Sequence, residues 1–181
     1  FDFQVESRTD AVPHVNSKGL LTTQRELKDA YYIYKAHWSE KPVLHFGSSG
    51  WKIRTEIAAP DTRVTRPVTL YTNGKEVTLY YEGEKIGTRK PQNHEVRWDM
   101  PFKKGKNRFK AISTIRGREI ERNLTVHCPF IPENLSENSF PENPIAVNIG
   151  QSRNHFYDPV RETDWIPDKD YEEGGFGAQS G

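Results

Sequence analysis

The sequence predicts a mainly β protein built around a two-sheet sandwich, and three observations predict it. From Lys41 to Cys128, apolar and polar residues alternate with period two in several short runs. Gly, Asn, Asp and Pro separate those runs at spacings that suit strands joined by tight turns. In front of them, Leu27, Ala30, Tyr31, Tyr34 and Trp38 fall on one stripe at helical spacing. One amphipathic helix therefore precedes the sheets.

The helix is expected over Arg25–Trp38. Thr23-Gln24-Arg25-Glu26 fits a capping box, in which the hydroxyl and the carboxylate each satisfy an orphan backbone N–H of the first turn. Pro42 sets the limit by which the helix must be over. Glu26, Lys28, Asp29 and Lys35 supply the charged side. A lone helix with so aromatic a stripe needs something large to pack on. A polar knot, Asn16-Ser17-Lys18-Gly19, stands directly before it.

The strands follow in order. "KPVLHF" and "WKIRTEI" are strand candidates separated by the turn "GSSG". Val68 and Leu70 alternate with Thr69 and Tyr71, and Val77, Leu79 and Tyr81 alternate with Thr78 and Tyr80. Asn73-Gly74 lies between those two runs, and this pair predicts a tight hairpin because both central residues then need positive φ. Val96 and Trp98 share a face of the next strand, and two more strands flank Gly117. Roughly seven short strands over Lys41–Cys128 are the pattern of an immunoglobulin-like sandwich without its cysteine pair. Val68, Leu70, Val77, Leu79, Val96, Trp98, Phe109 and Leu124 are its expected core.

Residues 129–144, rich in Pro, Asn, Glu and Ser, read as a linker. Residues 145–181 open with the strand-like "IAVNIG" and carry too few apolar residues to close a core alone.

Composition narrows the function classes. A net charge of +1 without a basic run argues against nucleic acid as a partner. The single cysteine, Cys128, excludes an internal disulfide and a CxxC metal site. No apolar run reaches membrane-spanning length. "FDFQV" reads as a strand already under way, so an internal piece of a longer protein is expected. His14, His37, His45, His94, His127 and His155 are scattered, with no pair at metal-ligand spacing, and neither a metal nor a cofactor is expected. Asp158, Asp164, Asp168 and Asp170 lack the spacing and glycine of an EF-hand and read as a solvated acidic loop. Tyr157, Trp165, Tyr171 and Phe176 could stack on sugar rings, but core positions are the expected reading.

Phe1-Asp2-Phe3, Asn16-x-Lys18-Gly19-Leu20, Arg25 and Lys28-Asp29-Ala30-Tyr31 resemble the end of the catalytic barrel of family 2 glycoside hydrolases. That family is the β-galactosidase and β-glucuronidase group. "VTLYTNGKEVTLYYEGEKIG" resembles the sandwich that follows the barrel in many bacterial members. "IAVNIG", "FYDP" and "DWIPDKDYEEGGFG" are similar to the opening of a malectin-like carbohydrate-binding domain. The resemblance implies four parts. Residues 1–40 end a (β/α)₈ barrel, 41–128 are the sandwich, 129–144 the linker, and 145–181 begin the malectin-like domain.

It further implies a retaining, exo-acting β-glycosidase, with β-galactosidase ahead of β-glucuronidase, periplasmic or secreted. Its partners would be a β-glycoside substrate and the remaining segments of the parent protein, and a homo-oligomer stays open. In such barrels the loops after the strands build the active site. Asn16 and Lys18 would then line the sugar pocket, the amide meeting hydroxyls and the ammonium a carboxylate or an electron-rich oxygen. The bland reading gives Asn16 an Asx turn and leaves Lys18 solvated. Asp2, Glu6 and Asp10 are assigned no catalytic role, because the family places both catalytic carboxylates upstream, so this chain alone would be inactive. The rival class, a non-catalytic carbohydrate-binding or scaffold sandwich, would have no use for Phe1–Trp38.

Overall fold

The computed structural model describes residues 3–4, 15–16, 18–132, 145–149, 156–158, 160–171 and 177. Two short strands, β1 (Phe3–Gln4) and β2 (Val15–Asn16), precede helix α1 (Asp29–Trp38). Then come β3 (Leu44–Phe46), β4 (Glu56–Ile57), β5 (Arg63–Thr72), β6 (Val77–Tyr81) and β7 (Glu84–Arg89). They are followed by β8 (Glu95–Lys103), β9 (Gly105–Ile115), β10 (Arg118–Cys128) and β11 (Phe130–Ile131). The described strands end with β12 (Ala146–Asn148), β13 (Phe156–Asp158) and β14 (Thr163–Pro167).

Seven of these strands make the sandwich. One sheet runs β3-β5-β8 and the other β10-β9-β6-β7, antiparallel throughout. The period-two pattern puts alternate residues into the space between the sheets. β8 sends in Val96, Trp98, Met100 and Phe102; β9 contributes Phe109, Ala111 and Ile115; β10 contributes Leu124, Val126 and Cys128. All eight residues expected in the core are there. Asn107, with no exposed surface, is satisfied from all sides: Tyr81 Oη and Lys103 N donate to its carbonyl, and its amide donates to Lys103 O and Gly105 O.

Asn73-Gly74 does not close a hairpin. β5 and β6 lie in different sheets, and the pair carries the chain across from one to the other. Asn73 instead ties the segment after α1, donating to Ser39 O and Lys41 O and accepting from Val43 N. Gly74 is needed for space, since a Cβ there would sit 2.3 Å from Ser113 Oγ. Local turn chemistry is the same whether the next strand pairs with its predecessor or joins the other sheet, so the sequence could not separate the two. Two-residue hairpins join β6 to β7 at Glu82-Gly83 and β9 to β10 at Arg116-Gly117, with positive φ at all four residues.

The helix starts later than the capping box implied. Lys28 is its N-cap and makes no side-chain cap. Thr22, not Thr23, accepts the Glu26 N–H on its hydroxyl, and Arg25 has a φ of 70°, which no helix tolerates. Residues 21–27 form a tight turn closed by a Leu21–Leu27 bridge. A hydroxyl that can cap a helix can equally satisfy a turn N–H.

"WKIRTEI" is only partly a strand: Ile53 makes an isolated parallel bridge to His127, and β4 runs parallel to β11. β11 occupies the first residues of the segment expected to be a linker. Phe130 and Ile131 are buried, Phe130 within the sandwich core, while residues 133–144 lie outside the described residues. β12 and β13 flank β14, parallel and antiparallel respectively.

Candidate sugar-facing loop and its surroundings

Asn16 lies in β2, opposite Phe3 of β1, and Lys18 stands two residues on, exposed in a turn. The two expected sugar-binding residues thus stand at the end of β2 and in the turn that precedes α1. Lys28 N donates to Leu20 O at 3.1 Å, fastening the end of that turn to the start of the helix. Asp2, Glu6, Asp10 and Ser17 lie outside the described residues.

The helix meets the sandwich through a polar face. Tyr32 stacks on His45 with ring centres 3.4 Å apart and planes 4° from parallel. Asp29 accepts the Ser48 N–H at 2.6 Å and lies 3.4 Å from His45 Nε2. Burial pushes the Asp29 carboxyl upward, but the His45 and Ser48 hydrogen bonds outweigh it and hold it below its ordinary value. Ala36 is the buried residue of this helix. On the expected aromatic stripe, Ala30 and Tyr31 are half-buried, whereas Leu27, Tyr34 and Trp38 are exposed, Trp38 by 77%.

The other feature sequence reasoning missed is the junction between the loop 47–55 and β14. Asp164 is buried and accepts the Trp51 indole N–H and the Thr55 N–H, so the acidic segment is not wholly a solvated loop. Asp158 pairs with Arg161, whose hydrogen bond holds its carboxyl below the ordinary value. Beside the junction a groove of about 220 Å³ is bordered by Gly47, Trp51, Arg54, Glu56, Arg66 and Tyr71. Arg66 grips Glu56 with two hydrogen bonds, and the buried Arg54 guanidinium lies over the Trp51 ring and donates to Ser48 O and Trp51 O. Cys128 is buried too, and burial pushes its thiol up to about 12, so it is inert as a nucleophile.

Of the aromatic residues that could meet a sugar ring, Tyr157 and Trp165 are half-buried in strands, Tyr171 is exposed, and Phe176 lies outside the described residues. Among the described residues no group of three or more His, Cys, Asp or Glu side chains could hold a metal ion. Two carboxylates in and just after the helix are engaged, Asp29 with His45 and Ser48, and Glu40 with Arg116.

Comparison with known proteins sets this geometry in context. A family described as a domain of unknown function (DUF4982) matches residues 64–121, which is the heart of the sandwich from β5 to β10. The curated protein named "Putative beta-glucuronidase" from Formosa agariphila is 30% identical over 136 residues, covering 71% of this chain. The crystal structure of Bacteroides uniformis β-glucuronidase covers 93% of this chain at a TM-score of 0.80 and 32% identity. The chain is similar to a segment of β-glucuronidases. A second structure, B. uniformis β-glucuronidase 2 covalently bound to cyclophellitol-6-carboxylate aziridine, matches at a TM-score of 0.77 and 30% identity, again over 93% of this chain. The chain spans 16% of the length of the Formosa protein and 20% of each of the two structures. These relatives are named as β-glucuronidases, whereas β-galactosidase was the sugar specificity expected first.

Proposed function

We propose that this chain is a segment of a retaining, exo-acting β-glucuronidase, supplying one active-site loop and accessory β domains. The observation that carries the reading is the 32% identity and shared fold with B. uniformis β-glucuronidase over 93% of the chain. In this reading β1 ends the eighth strand of the catalytic barrel and α1 is the eighth helix. The exposed side chains of Leu27, Tyr34 and Trp38 then cover barrel wall contributed by another part of the protein. The two catalytic carboxylates, acid/base and nucleophile, come from that other part. Residues 145–181 begin a malectin-like domain, and the parent protein works in the periplasm or outside the cell.

Asn16 and Lys18 act as binding residues. The Lys18 ammonium meets the carboxylate of the uronic acid, and the Asn16 amide meets hydroxyls common to acidic and neutral sugars. A charge-assisted contact of this kind contributes about 1.5–3 kcal/mol, or one to two decades in kcat/KM. In the full-length enzyme, Lys18→Ala should lower kcat/KM on an aryl glucuronide far more than on the matching aryl glucoside. Asn16→Ala should impair both. Unchanged constants for both variants on both substrates would return the two residues to a turn and a solvated lysine.

A further inference from the structure

We propose that His37 and His94 form a two-histidine site for a divalent late transition metal, Zn(II), Ni(II) or Cu(II), on the seam between α1 and the sandwich. The two residues are far apart in sequence and belong to different elements. His37 is in the last turn of α1, and His94 is in a two-residue turn between Gln92 and Glu95 that leads into β8. The fold brings their rings to 4.4 Å between centres, with planes at 57°.

The protonation of both rings follows from their partners. His37 Nδ1 lies 2.9 Å from Ile33 O, and His94 Nδ1 lies 3.1 Å from Thr72 O. A carbonyl oxygen can only accept, so in each ring Nδ1 carries the hydrogen. The neutral rings therefore keep Nε2 as a bare lone pair. This is the arrangement in which metal-bound histidines are normally held, the far nitrogen donating to a carbonyl or carboxylate.

The spacing fits as well. Two imidazoles bound to one ion through nitrogens about 2.0–2.1 Å from it, at an angle near 90–110°, have ring centres about 4.5–5 Å apart, so the 4.4 Å seen here asks for only a slight opening of the pair. Imidazole nitrogen suits zinc, copper and nickel, whereas magnesium and calcium prefer oxygen. Water would complete the shell, consistent with the lack of a third protein ligand among the described residues.

The turn adds an independent reason. Asn93 and His94 have φ of 48° and 63°, and the second position of such a turn normally takes glycine. A histidine there bears a backbone cost, and a strained residue held by its surroundings points to a use for its side chain. His94 is held twice, by its ring on Thr72 O and by its own carbonyl accepting Thr72 N–H at 2.9 Å. The ring is fixed before any ion arrives.

The 181-residue chain, freed of metal with a chelator, is titrated with zinc chloride and nickel chloride by calorimetry, alongside nitrogen-15 spectra of its imidazoles. One equivalent should bind, moving the Nε2 resonances of both His37 and His94, with magnesium chloride unable to compete. His37→Gln and His94→Asn, the latter chosen because Asn accepts positive φ, should each weaken binding by at least the roughly 10–100-fold that loss of an outer-sphere partner costs. His127→Gln should bind as the parent does. The proposal falls if either single variant keeps the parent affinity. It also falls if ten equivalents produce neither heat nor shifts, or if either neutral ring carries its proton on Nε2.

Discussion

The carboxylate of Asp164 accepts the indole N–H of Trp51 at 3.1 Å and the backbone N–H of Thr55 at 2.6 Å, joining β14 to a loop more than a hundred residues earlier. A carboxylate this buried is tolerable only with donors around it. Here the donors come from the loop between β3 and β4, which ties β14 to the sandwich side of the chain. Asp164→Ala removes the acceptor of both bonds. It should lower stability by about 1.5–3 kcal/mol, read from the urea midpoint by tryptophan fluorescence. Amide protons of β12–β14 should lose protection before those of β9 and β10. Equal loss in both regions would mean that Asp164 does not join two separable units.

Trp98 anchors the core of the β3-β5-β8 sheet at 3% exposure, with the Arg89 guanidinium lying over its ring. Trp98→Ala should cost about 3–5 kcal/mol. Chemical denaturation at equilibrium measures it, and a change below 1 kcal/mol would contradict a core position.

Two glycines should fail for different reasons. Gly74→Ala forces a Cβ onto Ser113 Oγ and Ile115 Cγ1 and should cost about 1–3 kcal/mol by overpacking. Gly117→Ala meets open space but sits at a φ of 76°, and should cost about 1–2 kcal/mol from the backbone alone. Adding Ser113→Ala should recover part of the first loss and none of the second. Strict additivity at Gly74 would show that the contact with Ser113 is not the cause.

The Asp29 carboxyl titrates below its ordinary value of 3.8 in the folded chain. Its stabilisation is therefore complete above that value and fades as pH falls through the lower folded value. Asp29→Asn should lower the urea midpoint at pH 7, and the gap from the parent should close as the pH is taken below 3.8. A gap that stays constant to low pH would mean that packing, not charge, is what the aspartate contributes.

Much of the sandwich was legible because its strands alternate. Once one face of a strand is buried, period two dictates which residues enter the core, and that held from Val68 to Leu124. The Gly117 turn was legible for the same local reason. Asn73-Gly74 was misread because residues that make a tight turn also make a crossing between sheets. The capping box was misread because Thr22, one place earlier, uses its hydroxyl to close a turn. The polar motif before the helix, Asn16 and Lys18, was legible as a pattern. Its surroundings were not, because Asp29 meets His45, and Trp51 meets Asp164, only when distant segments are brought together.

By itself, the sequence determined the core of the sandwich, its two-sheet class and the presence of one helix before it, since each depends on residue type at short, regular spacing. Tertiary structure alone decided which strands became neighbours, which face of the helix met the sandwich, how β14 was fastened to the loop before β4, and that His37 would lie against His94. Those outcomes depend on contacts between residues tens of positions apart. No local periodicity encodes such contacts, because they form only after burial of the core has chosen how the sheets cross.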